Sequence, residues 1–277
     1  MKIGIITGQS TTTKFMKTIL ISIIGLVPFI SCFCHPVNNG EDITRPVTRF
    51  DNRLEYQEGS GSMQGKDIIY TARADSTYTF ENEWVFSTRV DLPYEWFYCP
   101  NNANQCNLTY CYQSNCMGDS LIQMILIAPD FEYWTIGGGF KMILPTAGDN
   151  VEIGMGRYQF LPTLACRYSL RDWSPGAYCG LILRQDIDLG GFANAAPVSQ
   201  TFIQPFMNVD LPMGWFLYSS PEMIYNWETS YWFIPFDLML GWMITDKLVI
   251  SIEYENGIVQ DYPKYGQEVE FRIGIFF

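Results

Sequence analysis

The cysteines are the chain's most reactive side chains. Cys99, Cys106, Cys111 and Cys116 crowd into one polar segment, and Cys166 and Cys179 follow further on, equidistant from Asp172-Trp173, where a regular hairpin would set them face to face as a cross-strand disulfide or as two unpaired outward thiols. An even set of thiols in an exported chain reads as disulfides. The four clustered cysteines allow three connectivities, which the sequence leaves open. Zinc is the rival chemistry, but C-x6-C-x4-C-x4-C is not a zinc-finger spacing. Imidazole chemistry has no place in the body of the chain. The single histidine is His35, beside the expected leader-cleavage site, so no serine or aspartate further on has an imidazole base. Acids are plentiful, which leaves carboxylate-pair hydrolysis formally open. Acids on a solvated face are the simpler reading. We assign no catalytic residue, no metal ligand and no cofactor, and the chain reads as a non-enzyme.

The remaining charged side chains fall on alternate positions of short segments, and that spacing shows what positions them. The last ten residues, Glu268 to Phe277, read E-V-E-F-R-I-G-I-F-F. Val269, Phe271, Ile273, Ile275 and Phe277 share one face; Glu268, Glu270, Arg272, Gly274 and Phe276 share the other. A period of two is that of a strand with one greasy and one polar side. In Ser199–Asp210, Gln200, Gln204, Asn208 and Asp210 oppose Thr201, Ile203, Pro205, Met207 and Val209. In Gly156–Ser169, Arg157, Gln159, Thr163 and Arg167 oppose Tyr158, Phe160, Leu164 and Tyr168. In Lys247–Glu255, Glu253 and Glu255 oppose Ile250, Ile252 and Tyr254. Arg73 and Asp75 share a side in Lys66–Phe80.

A soluble edge strand this apolar invites aggregation, whereas a closed barrel in lipid has no edge. An Arg or Lys facing lipid at midplane costs ~2–4 kcal/mol, so the polar faces point inward. The expected lumen lining is therefore Arg73, Asp75, Arg89, Lys141, Arg157, Arg167, Arg184, Gln200, Gln204, Glu253, Glu255, Glu270 and Arg272. The fold class is all-β: a closed antiparallel transmembrane barrel of about twelve strands. Expected strands are Phe50–Gln57, Lys66–Phe80, Trp84–Asp91, Asp119–Ala128, Glu132–Leu144, Gly156–Ser169, Gly176–Asp186, Ser199–Asp210, Gly214–Ile224, Tyr231–Met243, Lys247–Glu255 and Gly266–Phe277. Connections alternate between short periplasmic turns and longer outer loops. The longest loop, Leu92–Gly118, carries the four cysteines. Trp84, Trp134, Trp215, Trp227, Trp232 and Trp242 lie near strand ends, as aromatic girdles do. Gly137-Gly138-Gly139 sits mid-strand with no following Lys-Ser/Thr, so it gives room or curvature rather than a phosphate loop.

Residues 1–34 read as a leader outside the fold. Met16-Lys17 precedes an apolar run from Thr18 to Ile30, the length of a signal peptide and too short for a spanning helix. Met16 is a candidate true start, and Cys32 a candidate lipidation site. Residues 35–48 read as a periplasmic lead-in, and 49–277 as the barrel. Loss of Lys2, Lys14 and Lys17 with the leader takes the formal charge from −12 to −15. That balance argues against nucleic acid as a partner. The expected partners are outer-membrane lipid, the barrel-assembly machinery reading the strand that ends at Phe277, and a small solute the sequence leaves undefined.

Several landmarks, in order, carry a resemblance. They are Arg49-Phe50-Asp51-Asn52-Arg53, Met117-Gly118-Asp119, Gly137-Gly138-Gly139 to Leu144-Pro145-Thr146, and Gly154-Met155-Gly156-Arg157. Gln200 to Phe206 (Q-T-F-I-Q-P-F), Gly214-Trp215-Phe216-Leu217 and Ser219-Ser220-Pro221 follow. From Arg49 onward the chain resembles the bacterial outer-membrane "transporter" barrels grouped with the meta-pathway phenol-degradation proteins. The resemblance implies an outer-membrane barrel that passes small molecules, hydrophobic ones included. The cysteine-bearing loop departs from the family pattern. The alternatives are a non-conducting surface barrel, adhesive or structural, that presents this loop, and a secreted β-sandwich.

Overall fold

The computed structural model describes residues 38–60, 65–98, 113–148, 150, 153–261 and 264–277. The leader and Cys32 lie outside the described residues, as do Cys99, Cys106 and Cys111. Strands are β1 (Arg49–Ser60), β2 (Gly65–Thr79), β3 (Val85–Tyr98), β4 (Gln113–Met117), β5 (Ser120–Ile127), β6 (Trp134–Leu144), β7 (Arg157–Ser169) and β8 (Tyr178–Gln185). They continue as β9 (Ile187–Gly191), β10 (Gln200–Asp210), β11 (Trp215–Ser219), β12 (Met223–Asn226), β13 (Tyr231–Thr245), β14 (Leu248–Gln260) and β15 (Gln267–Phe276). Among the described residues no helix is long and apolar enough to cross a membrane.

Three pairs of these strands are single staves interrupted once. Both β4 and β5 pair with β3, both β8 and β9 with β7, and both β11 and β12 lie between β10 and β13. Each stave pairs antiparallel with the next, β8 pairs with β10, and β15 returns to β1 with Arg49 opposite Phe276. The result is a closed antiparallel barrel of twelve staves with no free edge. The final strand shows why it closes in lipid: Phe271, Ile273 and Ile275 are 54%, 53% and 44% exposed on the outside, while Arg272 is 1% exposed inside.

The ladders extend further than turn chemistry predicts. β3 runs past Asp91 to Tyr98 and is met by β4, so both flanks of the expected outer loop are strand. β14 runs on to Gln260. The expected strand Gly214–Ile224 is broken at 220–222. Trp215 stacks on Trp242 near the short-turn end, 5.4 Å between ring centroids and 7° apart. Gly139 has a steric reason: a Cβ there would overlap the Met124 carbonyl oxygen and sit 2.8 Å from Ile125 Cα.

The register of the β7–β8 hairpin differs from a symmetric one centred on Asp172-Trp173. The turn closes through Leu170 N–H to the Ala177 carbonyl (2.8 Å) and Ala177 N–H to the Ser174 carbonyl (3.0 Å). Cys166 therefore stands opposite Leu181, and Cys179 opposite Tyr168. The two thiols are diagonal on the outer face, and among the described residues Cys116, Cys166 and Cys179 are free.

Inside, the short-turn half is apolar. Ile125, Ile127, Ala165, Tyr178, Ile182, Phe206, Phe216, Met239, Val249 and Phe276 form one buried cluster. Ile43, from before the first strand, belongs to it.

Candidate functional site: a plugged, two-walled lumen

Residues 38–48 do not hang below the barrel as a lead-in; they fold into it. Asp42 sets a local turn: its Oδ1 accepts from Thr44 N–H (2.9 Å) and Thr44 Oγ1 (2.7 Å), and Arg45 N–H reaches the Asp42 carbonyl (3.0 Å). This turn directs Glu41 and Ile43 into the lumen. Asn39 donates to Asn208 Oδ1 at 3.0 Å, and Arg272 donates to the Asn39 carbonyl at 3.0 Å. Asp42 Oδ2 lies 2.9 Å from Arg167 Nε, and the Arg167 guanidinium sits 4.8 Å from the centre of the Tyr178 ring. At the rim Arg45 pairs with Asp130 at 3.1 Å, both half exposed.

The anchor of this plug is an arginine ladder. Arg49, Asp51 and Arg53 alternate with Phe50 and Asn52, so all three face inward. Glu41 meets Arg53 at 2.7 Å, Arg49 at 3.6 Å and also Arg272. Asp51 lies 3.2 Å from Arg49 and 3.1 Å from Arg272; Asp75 lies 2.6 Å from Arg49; Glu270 lies 3.0 Å from Arg53. Charges buried this deeply are tolerated only when paired, and removing one partner of such a pair costs about 3–5 kcal/mol. Burial by itself raises the Glu41 pKa, but Arg272, Arg53 and Arg49 hold it well below the usual carboxylate range. Asp42 goes the other way: burial outweighs Arg167 and raises it.

Beyond the plug a cavity of ≈ 520 Å³ opens. Arg73, Arg89, Lys141 and Arg184, from β2, β3, β6 and β8, line one wall. Glu55, Glu253, Glu255, Glu268 and Glu270, from β1, β14 and β15, line the other, with Arg53 and Lys264 among them as Asp91, Glu95 and Glu222 lie among the basic residues. Arg73 forms a fork on Asp91 (2.8 and 2.8 Å), Arg89 holds Asp75 (2.7 Å), and Arg184 holds Gln204 (2.7 Å) and Glu222 (3.4 Å). Lys141 forms no ion pair with any described residue. Opposed rows of charge set a field across a lumen and select among solutes.

Of the residues expected in the lumen, Arg73, Arg89, Lys141, Arg184, Gln204, Glu253, Glu255 and Glu270 border this cavity. Asp75 and Arg272 are spent in the arginine ladder, Arg167 on Asp42, and Arg157 on Asp188 at 2.6 Å. Gln200 is buried and level with Asn226. Sequence reasoning missed Arg49 and Arg53 as lumenal residues, although parity with Asp51 carries that signal. It also missed Glu41 and Asp42, which follow no strand period.

Among the described residues the wall is weak beside β10. Between Met207↔Ser219 and Ile203↔Met223 the β10 ladder lapses, and it lapses again toward β13 between Tyr218↔Met239 and Ile224↔Phe233. Pro205, Pro221 and Pro235 all lie in this stretch and cannot donate. Side chains take over: Gln204 donates to Ser220 Oγ (2.9 Å), Ser219 Oγ to the Asp237 carbonyl (2.8 Å), and Ser220 N–H to Asp237 Oδ1 (2.8 Å). Outside this stretch a shallow apolar groove of ≈ 510 Å³ is lined by Leu181, Pro205, Met207, Pro221 and Trp134 among others.

No family model matches the chain, and no curated protein matches it. Solved structures do. The COG4313 outer membrane channel from Pseudomonas putida F1 superposes with a TM-score of 0.69 at 12% identity, covering 87% of this chain and 100% of that one. The fold is that of a bacterial outer-membrane β-barrel. The NanC porin superposes with a TM-score of 0.51 at 15% identity, covering 82% of this chain and 98% of that one. Outer membrane phospholipase A from Escherichia coli gives 0.50 at 11% identity, covering 86% and 94%. An enzyme and porins thus share this barrel architecture, so function must be argued from the lumen.

Proposed function

We propose that this barrel is a porin-like channel that passes small solutes, with residues 38–48 as its constriction. The carrying observation is the order of features along the lumen: a polar cavity with one side richer in basic and the other in acidic residues, then a plug held by the charge of Glu41. A structural or adhesive barrel has no need of a cavity whose wall keeps Lys141 out of any close ion pair with a described residue. Against enzymatic turnover stands the sequence, which offers no imidazole other than His35. Hydrophobic solutes are a second reading, favoured by the lapse in the wall at 220–222 and the apolar groove outside it. That reading agrees with the resemblance to the meta-pathway transporter group. The adhesive alternative rests on the cysteine loop, whose 99–112 segment lies outside the described residues.

The test is planar-bilayer conductance of the refolded mature barrel beside its Glu41→Gln variant. The channel reading expects low conductance from the native protein and higher conductance from the variant. Silence from both at every voltage, with folded barrels, removes it. Liposome swelling with polar and hydrophobic solute panels separates the two solute classes.

A further inference from the structure

We propose that Asp237, Glu253 and Glu255 form a lumenal binding site for a hard divalent cation of the calcium type. The ladder places them together. Asp237 stands directly opposite Glu255 in the β13–β14 pair, and Glu253 lies two positions along on the same inward face. One carboxylate oxygen from each lies within 4.8 Å of those of the other two. Calcium holds oxygens at roughly 2.3–2.6 Å, so oxygens on opposite sides of one ion are roughly 4.6–5.2 Å apart. The spacing is one that a single ion can bridge.

A second observation is independent of the clustering. Asp237 is 3% exposed. Its Oδ1 accepts from Ser220 N–H at 2.8 Å, but its Oδ2, equally buried, has no N–H or hydroxyl donor, and the groups its carboxyl meets are the carboxyls of Glu253 and Glu255. A buried carboxylate oxygen without a donor is costly, and a cation is one of the few things that repays it. Among the described residues no cation forms an ion pair with the triad, and the two that act on its glutamates from further off, Lys264 and Arg53, are held by other acids. Lys264 Nζ lies on Glu222 at 3.3 Å, Arg53 on Glu41 and Glu270, and Arg272 on Asp51. Directly across β15, Glu253 faces Glu270 and Glu255 faces Glu268, which adds negative charge rather than relieving it. Among the described residues the Tyr265 hydroxyl donates to Glu255 Oε2.

The donor set fixes the class of ion. All donors are carboxylate oxygens, with no sulfur or imidazole, which suits calcium and its hard relatives over zinc or copper. Glu253 and Glu255 border the lumenal cavity, so an ion and its waters can arrive from there. Asp237 also holds Ser220 where the wall ladder lapses. An ion at this position ties β13 to β14 beside that lapse and removes much of the charge of the acidic wall.

Terbium luminescence tests the site in the full mature barrel refolded in detergent. Tyr265 is the built-in sensitiser, since its hydroxyl touches Glu255. The native barrel should give tyrosine-sensitised terbium emission that calcium displaces, with half-effect in the range of about 0.1–1 mM typical of extracellular calcium modules. Asp237→Asn keeps the acceptor for Ser220, and Glu253→Gln keeps shape; each should weaken terbium binding at least about tenfold, a loss of ~1.4 kcal/mol. Heat-modifiable gel migration verifies that each variant is folded, and Glu255→Gln replaces any variant that is not. Emission that survives these substitutions in folded barrels overturns the proposal. So does an absence of terbium emission from the native barrel, the outcome expected if the three carboxyls share protons instead.

Discussion

Arg53 and Glu270, 217 residues apart in the chain, meet at 3.0 Å across the seam where the last strand closes on the first. The other arm of the same guanidinium holds Glu41 at 2.7 Å. One side chain thus ties together seam, final strand and plug. Arg53→Met leaves Glu270 buried without its cation, a loss of about 3–5 kcal/mol. Urea unfolding in lipid should show it, and the double variant Arg53→Met with Glu270→Gln should regain part of it. Equal stability of the native and Arg53→Met barrels would show that the seam does not depend on this pair.

The plug should be separable from the barrel. Glu41→Gln removes the charge that three arginines share but touches no ladder hydrogen bond. The barrel should therefore fold normally and unfold at nearly native urea concentration. Its open-channel events should become at least several-fold more frequent, because about 3–5 kcal/mol of docking energy is at stake. Deletion of residues 38–47 should give the same phenotype more strongly.

Acid should open the channel late. Glu41 has a folded-state pKa below its unfolded value, so its contribution is present above the ordinary carboxylate range. It is lost only as pH falls through that depressed value. Asp42 carries the opposite sign: as pH falls through its raised value, a proton relieves the burial cost. Both effects keep the plug docked in mild acid. Conductance should stay at its neutral-pH level down to about pH 4 and climb below it. The Glu41→Gln variant should lack that acid step. A native barrel whose conductance already climbs between pH 7 and about 5 would contradict the assignment.

Barrel closure was legible because a period of two is written into each strand and the faces differ in chemistry. Arg272 between Phe271 and Ile273 announces its direction without help from neighbours. Register is a pairwise property and is less legible. Cys166 and Cys179 look symmetric about Asp172-Trp173, but the hydrogen bonds from Leu170 to Ala177 shift the pairing by two residues. The plug was illegible for a different reason. Glu41 and Asp42 sit in a segment of no periodicity, and their partners Arg272 and Arg167 lie more than a hundred residues away. Asp237 escaped notice because its neighbours, Phe236 and Leu238, mark an ordinary outward face, and nothing local shows that Glu255 stands opposite.

The diagonal placement of the two thiols has a chemical consequence. Cys166 and Cys179 point to the lipid side and border the apolar groove outside the wall. In refolded vesicles both should react with a membrane-permeant maleimide and resist a charged one. They should not oxidise to a bridge under mild copper–phenanthroline treatment, because neither faces the other across the ladder. Mass spectrometry of the digested barrel reads both results, and a Cys166–Cys179 crosslink in good yield would show that the register is wrong.

The outward face carries the last prediction. Ile252, on β14, is 42% exposed outside while Glu253 beside it turns inward. In water the substitution Ile252→Lys would be nearly neutral, since it replaces an exposed apolar side chain with a polar one. In a bilayer the same lysine must reach toward the interface or lose its hydration. Near midplane the cost is ~2–4 kcal/mol. Ser251→Ala, one residue away and inward, removes a buried hydroxyl that receives no partner and should cost little. Unfolding titrations in lipid vesicles should therefore rank Ile252→Lys far below Ser251→Ala, although lysine is the more polar residue. The opposite ranking would mean that the oily face does not meet hydrocarbon, and a membrane-spanning barrel would be the wrong description of this chain.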